Sequence, residues 1–467
     1  MHKDILNKVT RAIDTLIDIS DKYEGLFPSL IDLDTHEMLT HEPTPIPGQR
    51  YGDRCHYGSN LIHDDTLLGA MYALDEPKYT QAADRYLKRF ATHCTDTFTG
   101  LFPWGEHAFW HLIDDKIGNS SRYHDPKSTN PAIHDQLRAV PIWLWEKLHG
   151  FNPRCVERFA EGLEYHWKID PPEYSRHGDI EVKERPENYD VCSFDFPRHG
   201  GFYIVDWIFA YLKTGRQDFL KQAKRMADYW PPHRLDDGLL PYCSRVEERV
   251  TGFYQVHAPG QTMGFASSLL DAAALVKEKE PEFAASMNEQ ALGYLESFMN
   301  APHEPEKALF VLGFRPGVPE RTSHLPIWGS SYGVWPASSM ALLCISAYRH
   351  TGDERLLKWA EGVGLCYLAQ EFPPEITTPA QDAGLSLGLL ADLYDITGER
   401  VWLDGGLKLA GDLMDAFMDH DLPRGAAGIN WYESQMGPSF LLHGLTRIAL
   451  LADGRENFTL AADYTTR

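Results

Sequence analysis

The chain has 467 residues, 43% of them apolar and 12% aromatic, enough to bury a large core, and its 44 Lys and Arg against 67 Asp and Glu give a formal charge of −23. So acidic a molecule repels nucleic acid and anionic membrane, and neither is expected as a partner. No apolar run is long enough to span a bilayer, the N-terminus has no apolar signal core, and the seven cysteines form no Cys-x-x-Cys pair, which reads as a cytoplasmic protein without disulfides.

In chain order, apolar periodicity predicts a helix over 4–23, then six helix pairs: 61–74 with 77–93, 133–148 with 153–167, 203–212 with 219–230, 260–276 with 282–299, 332–348 with 355–368, and 385–394 with 401–417. A last helix is predicted over 438–451. The first member of each pair is apolar nearly all round and rich in Ala, Gly and Ser, as a helix enclosed by neighbours must be. The second places apolar residues three and four apart with charged residues between them, so one face meets water.

Three junctions share one phrase: Tyr211-Leu-Lys-Thr214-Gly215, Tyr348-Arg-His-Thr351-Gly352 and Tyr394-Asp-Ile-Thr397-Gly398. A helix ends at Gly, the chain turns, and a new helix starts. Repeated hairpins with inner and outer members build an open solenoid or a closed ring. Phe440, Leu441, Leu442, Leu445 and Ile448 make the last helix too apolar for a solenoid cap. The expected fold is therefore all-α, one (α/α) toroid of six or seven hairpins over 1–467, with 456–467 as a disordered tail.

Connections from an outer helix to the next inner one are long, at 94–132, 168–200, 231–259 and 300–330, and all of them would emerge at one end of the ring. Long structured loops are where sites are expected. The first sets Trp104, Gly105, Glu106, His107 and Trp110 close together, joining flat aromatic faces for sugar rings to polar groups for sugar hydroxyls. A second group, His134-Asp135-Gln136-Leu137-Arg138, reads as an inner-helix start on which His134, Leu137 and Arg138 share a face. A third runs from Tyr189 through Asp195 to Arg198, His199, two glycines and Tyr203, and an Arg beside a His there suits a carboxylate ligand. His257, Gln261, Tyr332, Trp335 and Trp431 fall near further inner-helix starts and complete the expected lining. Each has a plain alternative: aromatics that plug the core, Arg198 paired with Asp195, His257 as a loop residue. No G-x-G-x-x-G behind a strand, P-loop, G-x-S-x-G or H-E-x-x-H occurs, so no nucleotide cofactor is expected.

These features resemble the α/α-toroid carbohydrate-active enzymes, a set that includes unsaturated uronyl hydrolases, sugar 2-epimerases and polysaccharide lyases. A narrower resemblance is to polysaccharide lyase family 2, whose Trp-Gly-x-His motif and later Arg-His pair supply metal-binding histidines, with the Arg as base. Trp104-Gly105-Glu106-His107 is similar to the first and Arg198-His199 to the second. The resemblance implies a divalent metal ion on His107 and His199, with Gln136 aligned to the family's ligand Glu, an amide where the family has a carboxylate. It implies Arg198 as base. For β-elimination of an anionic, uronic-acid-containing oligo- or polysaccharide, Arg198, His199, His107 and Tyr189 or Tyr203 are the groups available as cation, base and acid. The main rival is a glycoside hydrolase drawing two carboxylates from Glu106, Asp135, Asp195 and Glu433. A sugar epimerase using His199 and His257, and a non-catalytic glycan-binding protein, are the remaining readings.

Overall fold

In each of the three repeated turns one threonine does two jobs. The hydroxyls of Thr214, Thr351 and Thr397 donate to the carbonyl four residues back, at 2.7, 2.8 and 2.7 Å, closing the last turn of the first helix. The same oxygens accept the backbone N–H two residues ahead, at 3.3, 3.2 and 3.2 Å, where the second helix begins. Between them Gly215, Gly352 and Gly398 take φ of 74°, 68° and 69°, and each N–H returns to the carbonyl of the Tyr that opens the phrase. Only Gly adopts that left-handed conformation without steric cost.

The structure is a computed structural model that describes every residue except 125–126, 191, 246–255, 332 and 456–467. The expected tail and Tyr332 lie outside the described residues. Helix α1 (His2–Ser20) is followed by the pairs α2 (Leu61–Ala73) with α3 (Pro77–Arg89), α4 (Ile142–Phe151) with α5 (Pro153–Gly162), and α6 (Pro197–Thr214) with α7 (Gln217–Tyr229). Next come α8 (Pro259–Val276) with α9 (Pro281–Met299), α10 (Ala337–Thr351) with α11 (Glu354–Ala369), α12 (Ala380–Thr397) with α13 (Arg400–Phe417), and finally α14 (Pro438–Ala452).

The first members pack side by side in a ring. Helices α6, α8, α10, α12, α14 and α2 contact one another in that order. Tyr72 of α2 meets Trp143 of α4 edge-on at 5.8 Å, and Trp145 of α4 donates to Asp206 of α6, so the circuit is complete. Helix α1 lies against α14 as its outer partner. Among the described residues the choice between six and seven hairpins falls to seven. Small residues let the inner helices approach closely: a Cβ on Gly384 would lie 2.1 Å from the Phe440 backbone where α12 crosses α14.

Helix α4 begins at Ile142, later than the expected 133–148. Pro141 stands just before it, and the residue ahead of a proline is held in an extended conformation. Residues Ile133–Asp135 instead form a strand antiparallel to His177–Asp179. It is one of several two- and three-stranded sheets in the long connections, all ahead of inner-helix N-termini. The seven cysteines are free, and among the described residues no helix is long and apolar enough to cross a membrane.

Candidate active site

The long connections and the N-terminal ends of the inner helices enclose a cavity of about 210 Å³. One side carries Glu106, Asp135, Arg176, Arg198 and His199, and the other Ser331, Trp335, Gln381 and Gln435.

The charged side is assembled by strand register. Side chains alternate along a strand, so His134 and Asp135 point to opposite faces. Asp135 sits directly across from His177, and His134 across from Gly178. Cross-strand neighbours lie close enough to interact, and the Asp135 carboxylate is 3.5 Å from His177 Nε2 and 3.5 Å from His199 Nε2. Gly105 makes the approach possible from the third direction: a Cβ there would fall 2.0 Å from the Asp135 carbonyl. Glu106 Oε2 then lies 3.5 Å from His107 Nε2 and 3.5 Å from the Arg50 guanidinium. His107 Nδ1 donates to the Gly52 carbonyl at 3.4 Å, which leaves the Nε2 lone pair beside Glu106.

Burial and crowding set the charges. Glu106 is pushed up to about 8, first by burial and then by the Asp135 and Asp53 carboxylates. Burial acts upward on Asp135 too, but His177 and His199 overcome it and hold the group well below the usual carboxylate range. Burial brings His199 down to about 4 despite Asp135, with the Arg198 cation adding to the shift.

The two arginines differ. Arg176 is pinned to Asp195, its N–H donating at 2.5 Å and its guanidinium at 3.1 Å. Arg198, in the first turn of α6, has its N–H anchored on Gln261 Oε1 at 3.2 Å, yet its guanidinium has no ion-pair partner among the described residues. Its Nε is buried without a hydrogen-bond partner, and burial lowers its pKa.

Among the expected site residues, Glu106, Arg138, Arg198, His199 and Trp335 line the cavity, with His107 and Gln261 adjoining it. Others do not. Trp104 is core, packed on Phe90 and Phe102. Trp110 donates to Asp115, and His257 pairs with Asp237 at 2.7 Å. His134 is buried beside His166. Tyr189 stacks on Trp167 under Arg225, and the Tyr203 hydroxyl donates to the Arg176 carbonyl. Trp431 donates to Glu433, itself locked to Arg54, and Asp195 is held by Arg176.

The structure does not bring the expected metal ligands together. Gln136 is buried toward Asp206, off the cavity, because it follows a strand and not a helix start. His199 faces Asp135 but stands outside the cluster that could hold an ion. That cluster is Glu106, His107, Asp135 and His177, whose potential ligand atoms lie within 4.8 Å of one another. Arg176 and His177 escape the motif reading, although the string Arg-His-Gly occurs twice, at 176–178 and at 198–200.

No protein-family model matches the chain, and no curated protein matches its sequence. Solved structures that resemble it include a cellobiose 2-epimerase from Bacillus thermoamylovorans, 10% identical over 97% of this chain and 100% of that one, with a TM-score of 0.48. Another is a glycoside hydrolase family 76 mannosidase from Bacteroides thetaiotaomicron, 13% identical over 96% and 100% of the two chains, with a TM-score of 0.43. A third is an unsaturated glucuronyl hydrolase specific for heparin, 12% identical over 83% and 98%, with a TM-score of 0.44. These likenesses are distant, and the toroid is evident in the ring of helices without them.

Proposed function

We propose that the chain is a carbohydrate-active enzyme that cleaves a uronic-acid-containing saccharide by β-elimination. One observation carries the proposal: Arg176 and Arg198 share a cavity with Glu106 and Asp135 of the two-carboxylate, two-imidazole cluster. Elimination removes the proton beside the uronate carboxylate and expels the oxygen on the next carbon. It needs positive charge on that carboxylate, a base at the proton, and a proton for the leaving oxygen.

The cluster fits a divalent cation. Asp135 Oδ1 and His177 Nε2 are buried with only long 3.5 Å ion-pair contacts among the described residues, and a cation would relieve the repulsion that pushes Glu106 up to about 8. Mixed imidazole and carboxylate donors suit a transition ion such as manganese or zinc. Bound by Glu106, His107, Asp135 and His177, such an ion would supply positive charge for the substrate carboxylate.

Arg176, fixed by Asp195, orients that carboxylate as a charged fork. Arg198, without an ion-pair partner among the described residues and with burial acting to lower its pKa, is the base of this reading and takes the proton in its neutral guanidine form. In a glucuronate, whose C5 hydrogen and C4 oxygen lie on one ring face, the proton it gains is then available to the leaving oxygen; in a galacturonate, where they lie on opposite faces, the leaving oxygen takes its proton from water. Incubation with galacturonate and glucuronate oligosaccharides tests this. A product absorbing in the near ultraviolet is expected, with Arg198→Ala lowering the rate roughly 100- to 10,000-fold. Cleavage without that absorbance rejects elimination.

A second reading has a specific observation in its favour. Glu106 is held protonated near neutral pH and Asp135 ionised, with oxygens within 4.8 Å. An acid and a carboxylate roughly 5–5.5 Å apart are the equipment of a retaining glycosidase. Glu106→Gln would then abolish cleavage while Arg198→Ala spared it.

A further inference from the structure

The side of the cavity facing the arginines is chemically unlike them. Gln435 Oε1 accepts from Gln49 Nε2 at 2.8 Å, which among the described residues leaves the Gln435 amide N–H groups uncommitted. Gln381 Nε2 donates to Ser330 at 3.4 Å, which leaves its Oε1 as an acceptor. Ser331 adds an exposed hydroxyl and Trp335 a half-buried indole set edge-on to Phe440.

Cations near this side are consumed by carboxylates. Arg54 forms a two-point ion pair with Glu433 at 2.6 and 2.8 Å, both side chains fully buried, and Arg138 is paired with Asp65. The same Glu433 accepts from Gln49 at 2.8 Å, so the Arg54–Glu433 pair fixes Gln49 and, through it, Gln435. The result is a surface of amide, hydroxyl and indole groups on which, among the described residues, no cation is left to meet an anion.

We infer that the cavity takes a mixed saccharide, a uronate residue against Arg176 and Arg198 and an uncharged sugar against Trp335, Gln381 and Gln435. This inference rests on the proposed saccharide chemistry and names its substrate class. A carboxylate pressed onto the amide side would lose its water without gaining a counter-ion, in a chain whose formal charge is already −23. Sugar hydroxyls lose nothing there, because the amides offer both donors and acceptors, and the indole covers an apolar ring face.

The test uses trisaccharides of galacturonate, and separately of glucuronate, in two forms: all three carboxylates free, or the outer two methyl-esterified so that only the middle residue is charged. At least tenfold higher kcat/KM for the esterified form is expected in the series that is cleaved. Gln435→Lys, with its fold checked by circular dichroism, should narrow that ratio or reverse it. Equal or faster cleavage of the fully charged form overturns the inference.

Should neither series be cleaved, the catalytic proposal fails, and calorimetric binding of the same trisaccharides decides the inference separately. Tenfold tighter binding of the esterified form, weakened at least tenfold by Trp335→Ala, upholds it. Equal affinity, tighter binding of the fully charged form, or no binding of either rejects it.

Discussion

Asp135 is the residue on which the site turns, because one carboxylate is met by His177 from the opposite strand and by His199 from α6. The two histidines are chemically alike but not equivalent in place. Titration of the protein with manganese or zinc should show His177→Ala and Asp135→Asn weakening binding by roughly 10- to 100-fold or more. Gln136→Ala should leave it unchanged, and a loss there equal to that of His177→Ala would restore the expected ligand set. The sequence showed the chemistry of this region but not its partners. Trp104-Gly105-Glu106-His107 was legible as a motif, yet the two Arg-His-Gly strings are identical locally. What separates them is that 177–179 pairs with 133–135, a contact between distant segments.

Among elements, the helical hairpins were legible because two local signals agree, the apolar spacing and the Tyr-x-x-Thr-Gly stop. Thr397→Val removes the hydroxyl that serves both Leu393 and Glu399 and should cost about 1 to 2 kcal/mol in chemical denaturation. Gly384→Ala acts differently. It forces a methyl into the α12–α14 crossing, and about 1 to 3 kcal/mol of destabilisation is expected, with Tm falling accordingly. A neutral result at Gly384 would mean the two helices have room to move apart. The strand Ile133–Asp135 was not legible, since three residues carry no periodicity and the apolar pattern of α4 extends falsely back across Pro141. Mistaking it for a helix turn is what placed His134 beside Arg138, whereas Gln136 entered the expected ligand set by its match to the family's Glu.

At the scale of the whole molecule, the packed inner helices bury polar groups along with the apolar core. Asp64 and Asp206 are two of these, each pushed up to about 8 by burial, although Tyr86 and Trp145 donate to them. Because their folded values lie above the unfolded one, the stability of the protonated groups is complete below the ordinary Asp range of about 4. It is lost as pH rises toward about 8. Between those limits each should lower unfolding free energy by about 1.4 kcal/mol per pH unit. Asp64→Asn and Asp206→Asn should each flatten the profile of denaturation midpoint against pH, and an unchanged slope would show that the groups ionise in the folded state. The ring also gathers loops from all round the chain at one end, and the claim that this end cleaves a uronate by elimination has a direct test. Cleavage of the saccharide in water enriched in heavy oxygen, followed by mass spectrometry of the products, should show no solvent oxygen in the newly formed ends and one product lighter by a water. Incorporation of one heavy oxygen atom per bond broken would contradict it and assign the cavity to hydrolysis.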